Sequence, residues 1–309
     1  MLQIIVFSFN RAIQLDTLLT SLNNHWKTPD YQVDVIYNSS NEFFQEGYRV
    51  LIKKLKNNTR VYFHKESNGC KPYRVFEIVR EIRNVKRYLQ NPRVRHPKTN
   101  FRTLLIDVMK KNSAKEVMFM TDDAMFINDV EITNSMIEWL ESSPRNRQLS
   151  LRLGVGMNEQ PECVKVGTDG LIRWHMSDVE HLSNWGYRFS VDAHIYDKHL
   201  ILDYYKKYIF INPNTLEGYI EDRLFNKGLV DQACSLDKPM LLSFPINMVQ
   251  KEADNESLGV DCEKLNQMYL DGYTLRYPVP EVIDMFQVYP DYLILEKDGR
   301  TSVMKTKDS

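Results

Sequence analysis

Hydrophobic positions along the first 130 residues follow two alternating rhythms. Short, continuous apolar and β-branched runs, such as "QIIVFSFN" at residues 3–10, give way to stretches such as "AIQLDTLLTSL", whose apolar residues recur at helical spacing. A continuous run of that length suits a strand buried on both faces, and the spacing after it predicts a helix packed over that strand. The same alternation predicts a strand in "YQVDVIYNSS", a helix in "EFFQEGYRVLIKKL" and a strand in "RVYFHKE". A helix in "FRTLLIDVMKKN" then leads into the strand "EVMFM". Strands that alternate with helices imply an α/β fold with a parallel sheet, right-handed crossovers and helices on both faces.

Beyond residue 123 the rhythm loosens. "TNSMIEWLES" predicts a helix, "QLSLRLG" and "YRFSVDAHIYD" predict strands, and "KHLILDYYKKY" and "NTLEGYIEDRLFNKG" predict helices. This half should add mixed strands to the sheet. No Pro/Gly/Ser-rich linker separates the halves, so the expected organisation is one domain over residues 1–240, made of a first half (1–130) and a second half (131–240). Residues 241–309 should form a C-terminal extension packed on that domain.

Composition narrows the partners. Forty basic residues against forty-one acidic ones leave a formal net charge of −1, which excludes the footprint of a bulk nucleic-acid binder. Cys70, Cys163, Cys234 and Cys262 are widely spaced and form no CxxC pair, so they read as reduced thiols of a cytoplasmic protein. No apolar run reaches the length of a membrane span, and "MLQIIVFSFNR" reads as a buried strand rather than a leader.

In parallel sheets, ligands bind beyond the carboxyl ends of the strands. The first strand should end at Phe9-Asn10-Arg11, the second at Asn38-Ser39-Ser40 and the fourth at Thr121-Asp122-Asp123, so three polar loops converge there. The adjacent carboxylates of Asp122 and Asp123 repel each other. A hard divalent cation, Mg²⁺ or Mn²⁺, would offset that repulsion, because it prefers carboxylate and phosphate oxygens. The plainer reading is a helix cap or turn, which aspartate also favours.

With these residues in place, "IIVFSFNRAIQLDTLLTSL", "VDVIYNSS" and "VMFMTDDAMF" together resemble the nucleotide-binding half of a GT-A glycosyltransferase similar to family 2. "LSLRLGVGMN", "YRFSVDAHIYDK", "NPNTLE" and "INMVQKEADN" are similar, in order, to segments of bacterial glycosyltransferases of this class. The resemblance implies a GT-A fold, a Rossmann-like nucleotide-binding half in a mixed central sheet. It also implies that a DxD-like triplet holds the metal of a nucleotide-sugar diphosphate through its last acid. Carried onto this sequence, Asp123 takes the metal, Mn²⁺ or Mg²⁺. Phe9, Asn10, Arg11, Asn38, Thr121, Asp122 and Arg152 contact the nucleotide sugar. Thr121 stands where the first acid of the triplet would approach the ribose.

Sugar transfer to a hydroxyl needs a carboxylate that removes a proton, and the resemblance puts it near the start of a helix. "NPNTLEGYIEDRL" offers Glu217, Glu221 and Asp222. At about 100° per residue, Glu221 lies roughly 40° around the helix from Glu217 and Asp222 about 140° away, so Glu217 and Asp222 are competing candidates. Against Glu217 stands a structural role, a capping box over Asn214-Thr215-Leu216-Glu217. Against Glu221 and Asp222 stands a solvated face with an adjacent Arg223.

Weaker candidates follow. Arg11 and Arg152 suit a phosphate or, more plainly, an ion pair. Asp192 and His194 alternate onto one face of their strand, as acceptor-side residues or as a satisfied core pair. Trp174 and Trp185 could stack a sugar or fill the core. No histidine follows His199, so either Asn247, Asp254 or Asn255 replaces the C-terminal histidine ligand of some GT-A enzymes, or the diphosphate and water complete the shell. From Lys71 to Arg102, ten Lys or Arg residues meet only Glu77 and Glu81. Val75, Ile78, Ile82, Val85 and Leu89 predict one amphipathic helix with a core stripe and a basic face of Arg80, Arg83 and Arg87. That face is either solvated or a reversible contact with anionic lipid.

The function expected is metal-dependent transfer from a nucleotide-diphosphate sugar, UDP-linked, to a saccharide or lipid-linked acceptor in surface-polysaccharide synthesis. A sugar nucleotidyltransferase is the enzyme alternative, although the first loop lacks a Gly-rich basic run. The other alternative is a catalytically silent sugar-nucleotide-binding protein, which Thr121 would suit.

Overall fold

The computed structural model describes residues 1–28, 30–69, 72–157, 159–249 and 256–306. Its first half follows the predicted alternation: β1 (Leu2–Phe9), α1 (Ala12–His25), β2 (Tyr31–Asn38), α2 (Glu42–Lys54) and β3 (Val61–Lys65). Three short helices follow, α3 (Val75–Val79), α4 (Ile82–Gln90) and α5 (Pro92–Arg95), before α6 (Phe101–Lys111), β4 (Glu116–Thr121) and β5 (Ala124–Phe126). The second half holds α7 (Asn134–Glu141), β6 (Arg147–Ser150), β7 (Lys165–Val166), β8 (Leu171–His175), β9 (His194–Asp197), α8 (Lys198–Lys207), α9 (Pro213–Asn226) and β10 (Gln232–Leu236). After these come β11 (Leu241–Ser243), α10 (Cys262–Leu270), β12 (Thr274–Arg276), β13 (Tyr292–Lys297) and β14 (Arg300–Lys305).

Among the described residues, nine strands form one mixed sheet in the order β3-β2-β1-β4-β9-β6-β10-β8-β7. The first four are parallel, and β9 joins β4 antiparallel. Side chains alternate across the sheet, which divides the apolar residues of its four parallel strands between two cores. Ile4, Val6, Val33, Val35, Met118 and Met120 face the layer of α1, whereas Ile5, Phe7, Ile36, Val117 and Phe119 face α6, α8 and α9. A strand buried on both faces must be apolar throughout, which is why "QIIVFSF" shows no alternation. The expected mixed central sheet with helices on both faces is therefore present. Among the described residues, no helix is long and apolar enough to cross a membrane.

Two expectations need correction. The stretch "YRFSVDAHIYD" is a strand only from His194. Ala193 adopts φ of 55°, a left-handed conformation that costs an alanine roughly 1 kcal/mol and turns the chain before β9 begins. Ala193 is held there by its own N–H on the Phe119 carbonyl at 2.8 Å and by Leu151, whose N–H bonds its carbonyl at 3.0 Å.

The Lys71–Arg102 segment is not one helix, and its stripe is not in the core. Glu81 is extended (φ −139°, ψ 131°) and separates α3 from α4. Asn84 is fully buried, donating to the carbonyls of Glu77 at 2.9 Å and Lys207 at 2.7 Å. The Arg87 guanidinium sits 3.4 Å from the Tyr219 ring centre, and Arg83 bonds Asp222. The polar side of α4 thus faces the protein, and Val75, Ile82 and Leu89 face outward. Lys71 and Cys70 lie outside the described residues.

The last segment does more than pack on the outside. Residues 241–243 pair with β5 directly after the acidic pair, and Phe244 N–H donates to the Asp123 carbonyl at 2.7 Å. Phe244 stacks on Tyr277 with ring centres 4.2 Å apart.

Candidate active site

The carboxyl ends of β1, β2 and β4 open onto one cavity of about 860 Å³, lined there by Phe9, Arg11, Asn38, Thr121, Asp122 and Asp123. Asp192, Asn212 and Glu217 form a second wall, and Ser243 and Asn247 a third.

At the floor, Asp122 is buried and fully engaged. Oδ2 accepts from the Ser8 hydroxyl at 2.7 Å and from Phe9 N–H at 3.3 Å, and Oδ1 accepts from Arg11 Nη1 at 2.9 Å. Ser8 is bonded in turn to the Tyr48 hydroxyl at 2.7 Å. Burial pushes the Asp122 carboxyl up to about 6, and the neighbouring Asp123 adds to that rise, while Arg11 pulls the other way. The Arg11 guanidinium feels the converse: burial lowers its pKa, but Asp122 and Asp123 outweigh that and raise it. Arg11 Nη1 also reaches Asp123 Oδ2 at 3.1 Å, and its Nη2 donates to the Asn247 carbonyl. The compensation for the paired aspartates is therefore a buried arginine from the first loop, which straddles both carboxylates.

Arg11 does not use up Asp123. The Asp123 side chain keeps 16% of its surface exposed and lines the cavity, and among the described residues nothing bonds its Oδ1. A carboxylate oxygen facing an open, oxygen-rich cavity fits a hard divalent ion. Among the described residues no three His, Cys, Asp or Glu side chains gather to hold a metal by themselves. The remaining ligands would have to come from a diphosphate and water. The Asn247 amide is committed elsewhere, exchanging bonds with Gln14 at 3.2 and 3.4 Å. Asp254 and Asn255 lie outside the described residues.

Thr121, at the end of β4, points to the second wall. Its hydroxyl donates to Asp192 Oδ1 at 3.0 Å, and Arg152 Nη1 approaches Asp192 Oδ2 at 3.4 Å. Burial raises the Asp192 carboxyl, Arg152 opposes that, and Asp123 raises it further. Arg152 is buried behind Asp192 with its guanidinium 4.3 Å from the Phe286 ring centre, so it balances Asp192 rather than lining the cavity.

Helix α9 resolves the competition among its carboxylates by geometry. Asn212 is its N-cap, exchanging bonds with Thr215, and Pro213 occupies the first turn, so Glu217 is not the capping residue expected from "NTLE". Glu217 instead lines the cavity and accepts Val191 N–H at 3.0 Å. Burial pushes its carboxyl up to about 7, and Asp192 adds to that rise. Glu221, one turn on, is buried, accepting Phe189 N–H at 2.6 Å and bonding His181 at 3.2 Å. These two carboxylates share one face and fasten the backbone that carries Asp192. Asp222 lies on the opposite side, outside the cavity, bonded to Arg83 and to the Asn226 amide at 2.9 Å. The structure thus brings Glu217 to the site and leaves Asp222 away from it.

Phe9 is partly exposed at the cavity's edge. Asn10 takes a left-handed conformation (φ 58°), which asparagine tolerates, and cross-links the two loops by exchanging bonds with Ser40 at 2.8 and 2.9 Å. It therefore shapes the rim beside Asn38 rather than lining it. His194 is buried against the Asp192 carbonyl, and burial, together with Arg152, holds its pKa well below the usual value. Trp174 and Trp185 are core residues, their rings edge-on at 5.0 Å and the Trp174 N–H on the Trp185 carbonyl, which corrects the sugar-stacking reading. Glu66, Arg93, His96 and Lys98 also line the cavity, and sequence reasoning missed them as site residues. For the last three the only signal is the basic stretch from Lys71 to Arg102, whose expected role is a solvated face or a contact with anionic lipid.

No protein-family model matches this sequence, and no curated protein matches it. Solved structures similar to it include that of S. aureus TarS 1–349 in complex with UDP-GlcNAc, with a TM-score of 0.43 and 12% identity, covering 78% of this chain and 57% of that one. Full S. aureus TarS gives a TM-score of 0.46 at 12% identity over 87% of this chain and 42% of that one. The mannosyltransferase PcManGT from Pyrobaculum calidifontis, in complex with GDP-Man and Mn²⁺, gives 0.30 at 12% identity over 50% and 35%. This chain spans little more than half the length of the first of these.

Proposed function

We propose that this chain is a metal-dependent glycosyltransferase that moves a sugar from a nucleotide-diphosphate sugar, UDP-linked, to a saccharide or lipid-linked acceptor of bacterial surface-polysaccharide synthesis. The observation that carries this reading is the pairing, across one cavity, of the open Asp123 carboxylate with Glu217, whose carboxyl is poised near neutral pH.

Asp123 would hold Mn²⁺ or Mg²⁺ through Oδ1, the oxygen that Arg11 leaves open. Bound there with the diphosphate, the ion would offset the charge that grows on the leaving group. Arg11 fixes the aspartates from behind without occupying the front of the site. Phe9 and Asn38 bound the space for the nucleoside, and Asn10 holds their loops together. Asp192 has both oxygens engaged, by Thr121 and Arg152, so it suits orientation of the sugar more than proton removal. Glu217 is then the general base, steadied by the Val191 N–H. Because its pKa is raised to about 7, the proton-accepting form grows as pH rises through 7.

The test is incubation with UDP-sugars and Mn²⁺ while free UDP and pyrophosphate are both followed. Slow release of UDP supports the proposal. Pyrophosphate release would mark a sugar nucleotidyltransferase, and donor binding with neither product would mark a silent binding protein.

A further inference from the structure

Helices α3 and α4 present an apolar ridge to the outside. Val75, Phe76, Val79, Ile82 and Leu89 have exposures from 54% at Phe76 to 79% at Ile82, on two helices that pack against each other. Ile82 and Leu89 are seven residues apart, two turns along one side of α4, and the opposite side carries buried Asn84 and the inward-turned Arg83 and Arg87. The helix has its polar side fixed to the protein and its apolar side free, the reverse of a surface helix that water selects.

The charge around the ridge is one-sided. Between residues 72 and 102, nine Lys or Arg residues meet two acids, Glu77 and Glu81, in a chain of net charge −1. Arg74, Arg80 and Lys86 are exposed beside the ridge, and Arg74 lies over the Phe76 ring at 4.7 Å. Glu77 is shared between two of these cations, 2.9 Å from Arg102 Nη1 and 3.7 Å from Arg74 Nε, which leaves Arg80 and Lys86 as the cations beside the ridge without a carboxylate at that distance among the described residues. Beyond α4, Arg93, His96 and Lys98 continue the basic surface to the cavity. Arg83 and Arg87 tie α4 to α9, the helix of Glu217.

We infer that this ridge seats the protein on an anionic bilayer, with its apolar side chains entering the headgroup boundary and its exposed cations meeting lipid phosphates. A ring of cations around a shallow apolar ridge complements such a surface. A second copy would bring like charges together. Seated this way, the cavity beside α5 and α9 opens close to the lipid surface, where a lipid-linked acceptor would be found. Docking itself does not depend on the transfer reaction, and its test uses no donor.

The test is co-sedimentation of the full chain with vesicles of phosphatidylglycerol and phosphatidylcholine, and with phosphatidylcholine alone, at low and high salt. The wild type is compared with an Ile82→Ser, Leu89→Ser double variant and an Arg80→Gln, Lys86→Gln double variant, each checked for folding by circular dichroism. The expected result is binding to the anionic vesicles that weakens with salt, falls roughly 5-fold per cation removed, about 30-fold for the pair, and is lost in the apolar variant. Equal, negligible binding to both vesicle types at low salt overturns the inference. So does unchanged binding of the apolar variant. Self-association that this variant abolishes, without vesicle binding, overturns it in favour of a second copy.

Discussion

Arg11 Nη1 lies 2.9 Å from Asp122 Oδ1, and the same nitrogen lies 3.1 Å from Asp123 Oδ2. One guanidinium from the β1–α1 loop therefore bridges both acids just past β4 and leaves one negative charge over. The pair is buried, so removing one partner strands the other in a medium that solvates it poorly.

The first prediction concerns that stranding. Arg11→Leu should destabilise the protein by about 3–5 kcal/mol, measured by denaturant unfolding near neutral pH. Asp122 has a folded-state pKa raised above its ordinary value, so the folded form is favoured by protonation. Without Arg11, which holds that pKa down, the variant's Asp122 pKa climbs higher, so the loss should be smallest below about 6 and grow as pH rises above it. A loss that does not vary with pH would show that Asp122 is not the stranded group.

The second prediction contrasts two neighbours in sequence. Glu221→Ala leaves the buried Phe189 N–H without its acceptor and should cost about 1–3 kcal/mol, with transfer reduced because the backbone before Asp192 loosens. Asp222→Asn changes a side chain on the outer surface and should alter stability by about 0.5 kcal/mol or less. Thermal melts of both variants check this, and the reverse order would invert the assignment of the helix face.

The third prediction concerns proton removal. Glu217→Gln should keep donor affinity and lower transfer by about 10²-fold or more, whereas Asp222→Asn should leave transfer near wild type. In the wild type, the rate should climb with pH through about 7, where Glu217 deprotonates, and that limb should vanish in the glutamine variant. A pH profile that both variants share would place the base elsewhere.

These contrasts show what the sequence made legible. The strands β1, β2 and β4 and their polar ends could be read because a strand buried on both faces must be apolar throughout and must stop where polar residues begin. The 40° and 140° offsets around α9 set Glu217 apart from Asp222, since helical spacing is fixed by backbone geometry, but Glu221, expected with Asp222 on a solvated face, is buried. Spacing does not say which way a face points. Val75, Ile82 and Leu89 were expected in the core, but the bonds from Asn84 to two backbone carbonyls and the seat of Arg87 on Tyr219 turn the polar side inward. Nor could it say what balances Asp122 and Asp123, because Arg11 is 111 residues from Asp122 along the chain and meets it only through the parallel pairing of β1 with β4. The cap on Asn212, two residues before the expected Asn214, freed Glu217 for the cavity.

The central claim is that Asp123 joins a divalent ion to a nucleotide diphosphate, and calorimetric titration of UDP into wild type and Asp123→Asn, each with and without Mn²⁺, tests it most directly. Because no three metal-ligating side chains gather among the described residues, Mn²⁺ alone should bind weakly, and UDP and Mn²⁺ should strengthen each other's binding in the wild type. Asp123→Asn should stay folded and lose that mutual strengthening. UDP affinity that depends on Mn²⁺ equally in both proteins would contradict the account.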